Sequence, residues 1–524
     1  MSTSIYLLHT SSYFSKSKVG LFLSELKNLS QVLDIRKTGP FTSSAMAPND
    51  SVFSLVTADP GLPRPNPTES YWQHIPHALA DVRSSKLPTD RDFAIIGSGI
   101  TGLSVARSLL KRHPTATVTV LEARALCSGA TGRNGGQMAA NAGEQYMNLV
   151  ETHGVETAGK IVDFTFRNLD KMQELIEEYD AVELSEMQRL RKLRVFLTQG
   201  KFDDFKKSIA RLEVDHPSKK GLYTILDADA VLTEYGIHGA FGGALLPAGT
   251  VWPYRLVTKV FEALLEKYPG RLTIETHTPV ESVEHISTLA SSVTNIYPYT
   301  LRTSRGLLRA QSVVHCANGY SGHLLPHLRG LVHPFKGTMT VQDPQNALPN
   351  QGTAVSWGFH YPPFYDPETQ RLGYGLYYLG QSAKTGYFYF GGENTRLEES
   401  VSADDSYVAD HSVEHLEIVL PRFFGKNDRS DWRLISSWSG IMGYSSDGLP
   451  MVGRLSPKLT GREGDGEWIA AAFNGYGMAN SLMSGDALAL MILGKDAKNI
   501  QEQKVGLAGN RTPDHSHAKG VLYH

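Results

Sequence analysis

The stretch DFAIIGSGITGLSVARSLL, at residues 92–110, decides the fold. Residues 93–96 form a short apolar run of the kind found in buried parallel strands. Gly97, Gly99 and Gly102 follow with the spacing G-x-G-x-x-G. In this motif the first glycine permits a tight turn, the second lets the backbone approach a pyrophosphate, and the third lets a helix pack on the strand. The helix that follows offers N–H groups to phosphates at its N-terminus.

A second strand and an acidic residue extend the same motif. The segment ATVTVLEAR, at residues 116–124, predicts a strand in which Glu122 lies about 20 residues after Gly102, the distance expected for a ribose-binding acid. An acidic residue there binds the hydroxyl groups of an adenosine ribose, which favours NAD or FAD and disfavours NADP. A βαβ unit without a ligand remains the alternative interpretation.

The glycine-rich segment ALCSGATGRNGGQMAANAG, at residues 125–143, follows the acidic strand and contains almost no bulky residues. An NAD-dependent enzyme has no evident need for a second glycine-rich loop, in addition to the glycine turn at residues 97–102. A flavin does, because its ring system and ribityl phosphate require close approach of the backbone. The segment therefore favours FAD, and a pure NAD dehydrogenase remains a distant alternative.

Three motifs resemble the D-amino-acid oxidase and glycine/sarcosine oxidase superfamily of flavoproteins: IIGSGITGLSVA (residues 95–106), LEARALCSGATGRNGGQ (121–137) and DGLPMVG (447–453). The second motif is most similar to the γ-glutamylputrescine-oxidase-like branch and its fungal relatives. The resemblance covers about residues 92–494. It implies an α/β fold, with a Rossmann-type FAD-binding domain and an interleaved α+β substrate domain built on an antiparallel sheet.

The resemblance also implies which residues contact the cofactor. They fall in the first turn, the acidic strand end, the glycine-rich loop, two returning strands, and two loops beside the flavin. In chain order they are Gly97, Ser98, Gly99, Ile100, Thr101, Gly102, Glu122, Ala123, Arg124, Ser128, Gly129, Ala130, Thr131, Arg133, Asn134, Gly135, Gly136, Gln137, Val280, Ala317, Asn318, Gly319, Asp447, Gly448, Gly475, Tyr476, Gly477, Met478 and Ala479.

Covalently flavinylated members of the family have a Cys near the DGLP loop or a His in the GATGRN loop. In this chain residues 440–446 contain no Cys and residues 132–134 contain no His. We therefore expect FAD to be bound non-covalently.

The layout of the family predicts a discontinuous domain arrangement. Residues 91–150, 245–330 and 432–495 are expected to form the FAD-binding domain. Residues 151–244 and 331–431 are expected to form the substrate domain.

The two ends of the chain are interpreted separately. Residues 1–45 are basic and contain serines, and we interpret them as a leader or, preferably, as a spurious extension before Met46. Residues 46–90 include a Pro-rich stretch and predict an extended N-terminal arm. Residues 496–524 show no periodicity and predict a disordered tail. The expected location is cytoplasmic, or mitochondrial if the leader is real.

An antiparallel sheet in this family covers the flavin and carries substrate contacts. The stretches HPFKGTMTV (333–341), RLGYGLYYLG (371–380) and TGYFYFGGEN (385–394) predict its strands. Successive side chains of a strand point to opposite faces of the sheet, so half of the aromatic side chains should face the pocket. For each of them, packing within the sheet is the alternative interpretation. These aromatic residues, with one nearby tryptophan, are Trp357, Tyr374, Tyr377, Tyr378, Tyr387 and Tyr389. The catalytic candidates are Tyr378 and two cations that could contact flavin or a carboxylate, Lys336 and Arg396.

The implied reaction is oxidation of a C–N bond in a small-molecule amine or amino acid to an imine, with oxygen as acceptor and hydrogen peroxide as product. This chemistry needs a deprotonated amine rather than a strong protein base, and the sequence contains no evident catalytic dyad. Two alternatives stay open: a dehydrogenase of the same fold with another electron acceptor, and a catalytically silent FAD-binding scaffold.

The composition disfavours other classes of function. The formal net charge of −2 gives no reason to expect a nucleic-acid partner, and no apolar run is long enough to span a bilayer. Two cysteines, Cys127 and Cys316, make no disulfide framework, which suits a reducing compartment. No metal-binding motif is evident apart from the tail segment DHSH, residues 514–517, which we interpret as part of the disordered end.

Overall fold

The computed structural model describes residues 48–286, 296–426 and 432–494. In chain order the strands are β1 (Asp90–Ile96), β2 (Val118–Leu121), β3 (Gln137–Met138), β4 (Gln188–Phe196), β5 (Thr224–Leu226), β6 (Gly242–Thr250), β7 (Leu272–Glu275), β8 (Val280–His285), β9 (Tyr299–Thr303), β10 (Gly306–His315), β11 (Val332–Asp343), β12 (Val355–His360), β13 (Phe364–Asp366), β14 (Arg371–Gln381), β15 (Phe388–Thr395), β16 (Arg433–Ser445), β17 (Met451–Arg454) and β18 (Glu467–Ala471). The helices are α1 (Pro48–Thr57), α2 (Ile100–Arg112), α3 (Tyr146–Glu178), α4 (Gln199–Asp215), α5 (Ala228–Tyr235), α6 (Pro253–Lys267), α7 (Ser321–Leu324), α8 (Leu397–Ser400), α9 (Asp410–Phe423), α10 (Pro457–Thr460) and α11 (Ser481–Ile492).

The first sheet has eight strands, with the order β17-β18-β10-β1-β2-β7 and a β8–β9 pair attached to β10. Its centre is parallel, because β1 pairs in parallel with β10 and β2, and β10 does so with β18. Residues 93–96 of β1 are all buried, as the apolar run predicted. The predicted strand, glycine turn and helix are confirmed as β1, the turn at Gly97 and α2.

The second sheet has ten strands, with the order β16-β11-β15-β14-β12-β4-β6-β3 and β13 and β5 at its sides. The antiparallel pairing predicted for the Gly- and Tyr-rich block is confirmed by the β11–β15 and β14–β15 pairs. One pair, β12 with β4, is parallel. The protein therefore has the mixed α/β architecture that the sequence predicted.

Strand pairing runs across the predicted domain boundaries, which themselves stay a prediction. β16 pairs with β11 along its length, from Ser445 opposite Val332 to Arg433 opposite Asp343. It therefore belongs to the second sheet, although segment 432–495 was assigned to the FAD-binding domain. Likewise, β3 and β6 pair with each other in the second sheet, although segments 91–150 and 245–330 included β3 and most of β6. The chain crosses between the sheets inside these segments, and such distant pairings leave no local signal in the sequence.

The predicted extended arm is helical at its start, since α1 lies within residues 46–90. The arm then runs on without strands to β1, interrupted by a short helical turn at Tyr71–Gln73. Trp72 in this turn is 4% exposed, and its ring centroid lies 4.3 Å from that of Tyr389 and 5.0 Å from that of Trp252. The arm is therefore packed into the protein core. The segments predicted as a leader (1–45) and a tail (496–524) lie outside the described residues.

The long helix α3 contains a break. Gly154 has φ 80° and ψ 163°, a backbone conformation that interrupts the helix and favours glycine. None of the helices in the described segments combines the length and the apolar character that crossing a membrane would require.

Candidate functional site

A cavity of about 660 Å³ extends from the carboxyl ends of the first sheet to the inner face of the second. Gly97, Glu122 and Val280 line the end of the cavity at the first sheet. Tyr378 of β14 and Met442 of β16 line its end at the second sheet. Ligands of doubly wound sheets bind at the carboxyl ends of the strands, and this cavity has a volume typical of small-molecule and cofactor sites.

The three glycines of the first turn are required by close contacts. A Cβ on Gly97, which has φ 111°, would lie 2.7 Å from the carbonyl oxygen of Cys316. A Cβ on Gly99 would lie 2.9 Å from Thr131 Oγ1, and a Cβ on Gly102 would overlap the carbonyl oxygen of Gly97. Gly99 is the N-cap residue of α2 and has no side chain to bond the N–H groups of the first turn. The Ile100 N–H donates to Thr131 Oγ1 (3.1 Å). This cradle fits the pyrophosphate of a dinucleotide.

Glu122 lies directly after β2 and is held in place by the turn. One carboxylate oxygen accepts hydrogen bonds from the Ser98 N–H (3.1 Å) and hydroxyl (2.6 Å), and the other accepts one from the Arg124 N–H (3.1 Å). The side chain is 9% exposed and lines the cavity together with Val280 and Thr278. Its position at the strand end fits recognition of a ribose.

The glycine-rich loop is held by the N-terminal arm. The Ser70 hydroxyl donates to the Gly132 carbonyl (2.8 Å), and the Trp72 indole N–H donates to the Asn134 carbonyl. From the other side, the Trp438 indole N–H donates to the Arg133 carbonyl (2.7 Å). The loop is therefore fixed in one conformation by the arm and β16 together.

A buried ion network connects the same loop to the segment before α9. Asp405 accepts hydrogen bonds from Arg124 Nη1 at 2.9 and 3.1 Å and lies 3.7 Å from Arg133 Nε. Arg133 also donates from Nε to the Ser439 carbonyl (2.7 Å). Burial lowers the pKa of Arg133 to about 10, although Asp405 opposes this effect. One carboxylate thus contacts two arginines that line the cavity, and the three side chains together carry one positive charge.

The loop before α11 forms part of the cavity wall. Asn168 donates to the Met478 carbonyl (3.0 Å) and accepts from the Met483 N–H (3.0 Å), which joins α3 to the start of α11. Gly475 has φ 78°, and a Cβ there would lie 3.0 Å from the Tyr444 hydroxyl. The turn Gly477–Ala479 therefore has a fixed position at the cavity wall.

Most of the predicted cofactor residues line this one cavity. They are Gly97, Ser98, Gly99, Ile100, Thr101, Glu122, Ala123, Arg124, Gly129, Ala130, Thr131, Arg133, Asn134, Gly135, Gln137, Val280, Ala317, Asn318, Asp447, Gly448, Gly475, Tyr476, Gly477, Met478 and Ala479. The cavity lining does not include Gly102, Ser128, Gly136 or Gly319. Of these, Gly102 acts through packing, since its missing side chain lets α2 approach the turn.

One of the three catalytic candidates lines the cavity. Tyr378 lines it, whereas Lys336 and Arg396 do not. On β11 the neighbours Phe335 and Gly337 line the cavity, so Lys336 faces the opposite side of the strand, where its Nζ lies 3.3 Å from the Tyr407 ring centroid. Arg396 is exposed at the start of α8. The structure therefore does not place these two candidate cations in the cavity lining.

Two of the six predicted aromatic residues line the cavity, where alternation predicted half. Tyr374 and Tyr378 of β14 line the cavity, whereas Tyr377 between them packs in the core with its hydroxyl 2.6 Å from His415 Nε2. Trp357 and Tyr389 are also core residues outside the lining, and Tyr387 lies outside it too. Tyr361 lines the cavity and was not predicted.

A buried polar group, which we call the Arg194 cluster, lies in the cavity wall, and the sequence analysis predicted only its Gln137 as a site residue. It consists of Gln137, Glu144, Lys192, Arg194 and His360. Glu144 pairs with Arg194 through one oxygen and lies 3.1 Å from His360 Nδ1 through the other. Lys192 Nζ donates to Gln137 Oε1 and to the Trp357 carbonyl (3.1 Å). A signal was available, because Lys192 and Arg194 are two residues apart on one face of β4.

Burial controls the charges of this cluster. It lowers the pKa of Lys192 to about 7, with a further lowering by Arg194. Burial also lowers the pKa of His360, against the opposing effect of Glu144. Burial alone would raise the pKa of Glu144, but His360 and Arg194 together bring it below its ordinary value. The cluster therefore holds a carboxylate, a guanidinium, a neutral imidazole and an amine that titrates near neutrality.

The family comparison covers most of the chain. Residues 92–491 match the model of the DAO family, described as FAD dependent oxidoreductase. Among curated proteins, the chain is similar to gamma-glutamylputrescine oxidoreductase of Escherichia coli strain K12, with 26% identity over 262 residues. That match covers 49% of this chain and 55% of the relative, so the chain spans about half the length of the curated relative it matches.

Solved structures share the fold. Glycine oxidase from Geobacillus kaustophilus superposes with a TM-score of 0.59 and 18% identity, covering 78% of this chain and 96% of that chain. L-proline dehydrogenase from P. horikoshii superposes with a TM-score of 0.57 and 18% identity, covering 80% and 99% of the two chains. At these identities the likeness concerns the architecture alone.

Proposed function

Because the chain belongs to the DAO family of FAD-dependent oxidoreductases, we propose that it binds FAD non-covalently in the cavity and oxidises the C–N bond of an amine or amino acid to an imine. We further propose that oxygen is the electron acceptor and hydrogen peroxide the second product. The observation that carries the proposal is the continuity of one cavity from the glycine cradle and Glu122 to Tyr378 and the Arg194 cluster.

The residues of the first sheet fit the nucleotide half of FAD. The first turn of α2 would bind the pyrophosphate, and Glu122 would bind the adenosine ribose. The glycine-rich loop and the turn Gly477–Ala479 would hold the flavin half, since both expose backbone to the cavity. Bound FAD would supply the acceptor for the two electrons and the hydrogen that leave the amine.

The chain's own contribution would be to position the amine and exclude water. Tyr361, Tyr374 and Tyr378 give the second-sheet wall of the cavity an aromatic part beside the Arg194 cluster. A neutral amine can form the imine, whereas an ammonium ion has no lone pair available for the new bond. Lys192, whose pKa burial lowers to about 7, offers a nearby amine that can take up a proton near neutral pH.

We also propose a cytoplasmic location. Both Cys127 and Cys316 are buried and free, which fits a reducing compartment.

The first test is the visible absorption spectrum of the purified protein, which should show flavin bands at about one flavin per chain. Acid precipitation should release the flavin into the supernatant; yellow colour retained in the pellet would contradict non-covalent binding. Anaerobic addition of amines should then bleach the bands. A colourless protein that takes up no added FAD, or a flavin that no amine reduces, would refute the proposed reaction.

Oxygen consumption by the reduced protein tests the acceptor separately. Rapid return of the flavin bands in air, with hydrogen peroxide formed, is the expected result. Reduced flavin that persists in air would instead make the protein a dehydrogenase with another acceptor.

A further inference from the structure

The N-terminal arm contributes residues to the wall of the cavity. Gly61, Leu62 and Pro63 line it, and all three are half-buried. The match to the DAO family begins only at residue 92, so these arm residues lie outside the part of the chain that the family model describes. They add a wall that the family's own motifs do not provide.

One anchor of this wall is a group of charged side chains around Asp59. One oxygen of the Asp59 carboxylate accepts a hydrogen bond from the Gly61 N–H (2.8 Å) and lies 3.1 Å from Nδ1 of His323 in α7. The other oxygen accepts a hydrogen bond from Arg329 Nη2 (2.6 Å). The arm is therefore fixed to α7 and the turn after it, just before it reaches the cavity.

A second anchor lies directly after the wall. The Arg64 carbonyl accepts a hydrogen bond from Arg124 Nη1 (3.3 Å). Gly61, at the start of the wall, has φ 69°, a left-handed conformation that favours glycine. Residues 61–63 therefore run from α7 to Arg124, and both His323 and Arg124 themselves line the cavity.

The position and the chemistry of this wall fit one half of FAD. Arg124 lies two residues after Glu122, whose position at the strand end fits recognition of a ribose. Leu62 and Pro63 have side chains without polar atoms, and the apolar Val280 lines the same end of the cavity. An adenine ring has two flat faces that pack on apolar side chains, and walls of this kind are typical of cofactor sites. Phosphates would instead need hydrogen-bond donors, which these two side chains lack.

We propose that Leu62 and Pro63 form the outer wall of the subsite for the adenosine half of FAD. Asp59 acts as a positioning residue, because its contacts with His323 and Arg329 hold the wall in place. The inference rests on the proposed function in taking FAD as the bound cofactor, and it assigns FAD-binding residues to a segment that precedes the family match.

The test measures, by calorimetry, the affinity of the deflavinated full chain for FAD and for ADP, which lacks the flavin half. Leu62→Ala should weaken the binding of both ligands about tenfold and by the same factor, since a leucine side chain that packs on the adenine contributes a free energy of that order. Asp59→Ala should also weaken both, because it releases the first anchor of the wall. Leu62→Ala leaves the charged group around Asp59 intact, so it decides the question if Asp59→Ala fails to fold.

Asp81→Ala is the matched control. Asp81 lies in the same arm and contacts another histidine, His277, at 2.6 Å, but neither residue lines the cavity. The substitution should leave both affinities unchanged, and equal weakening by it would overturn the inference. Weaker binding of FAD without weaker binding of ADP would also overturn it, since the arm would then act on the flavin half.

The same variants separate this inference from the proposed function. Bleaching of the flavin by amines, together with ADP binding that Leu62→Ala does not change, would overturn the inference and leave the proposed function standing. Weaker ADP binding by Leu62→Ala, in a protein whose flavin no amine reduces, would support the adenosine subsite and refute the proposed reaction.

Discussion

Replacing Asp405 by Asn should destabilise the protein strongly, because Asp405 is the shared counter-ion of two buried arginines. It contacts Arg124 at 2.9 Å and Arg133 at 3.7 Å, and their side chains are 6% and 2% exposed. Removing one partner of a buried ion pair costs about 3–5 kcal/mol, because the remaining charge is left without compensation. Asn keeps one acceptor oxygen, so we expect a loss of about 3 kcal/mol, at the low end of this range.

The neighbouring residue provides a matched control. Asp404 pairs with Arg64 at 3.4 Å, and the two side chains are 30% and 53% exposed. An exposed pair of this kind contributes about 0–1 kcal/mol. Asp405→Asn and Asp404→Asn both exchange a carboxylate for an amide. The difference between their effects on the free energy of unfolding therefore reports burial and partner geometry rather than the chemical change.

Urea unfolding of the FAD-saturated variants, followed by circular dichroism, gives the change in stability, and titration with FAD gives the change in affinity. Asp405→Asn should lower the unfolding midpoint and weaken FAD binding, since Arg124 and Arg133 both line the cavity. If the free energies of unfolding of Asp405→Asn and Asp404→Asn differ by less than about 1 kcal/mol, the buried network does not stabilise the loop as argued.

Three further predictions concern other parts of the site. Gly102→Ala should abolish FAD binding because its Cβ would overlap the Gly97 carbonyl oxygen, whereas Gly200→Ala, with open space around it, should leave FAD titrations unchanged. The pKa of Lys192 is lower in the folded protein (about 7) than the ordinary 10.5, so the unfolded chain binds more protons between these values. Stability should therefore rise with pH across this window, by up to about 1.4 kcal/mol per pH unit, and denaturation profiles of Lys192→Met should lack this contribution. Trp72→Phe removes the hydrogen bond to the Asn134 carbonyl, worth about 1 kcal/mol, and stopped-flow fluorescence should show FAD dissociating about fivefold faster.

The nucleotide end of the cavity could be predicted from the sequence because its requirements are local. Gly102 is needed by a contact with Gly97 inside the strand–turn–helix unit, and Glu122 follows at a fixed distance along the chain. The contacts that require Gly97 and Gly99 come from other segments, at Cys316 and Thr131, but the three glycines still keep a fixed spacing. Such short-range constraints leave a readable pattern of residue types.

The substrate end of the cavity was harder to predict, because the strands that pair with a given strand decide which of its faces meets the cavity. Residues 332–342 of β11 are all buried, so both faces of the strand pack and alternation cannot tell which side meets the cavity. Lys336 therefore looked like a cavity residue but faces Tyr407. Lys192 and Arg194 reach the cavity because β4 pairs in parallel with β12, a partner more than a hundred residues later in the chain.

The packing of the N-terminal arm has a consequence for biosynthesis. Thr68 accepts a hydrogen bond from the Ser439 N–H at 3.1 Å, a contact between residues 371 positions apart. Because the arm leaves the ribosome early, its docking surface does not exist until most of the chain has been made. Contacts of such long range slow folding and leave apolar groups such as Trp72 exposed meanwhile. We therefore expect the glycine-rich loop to reach its final conformation only after release of the chain, and newly made protein to depend on chaperones for longer than its size suggests.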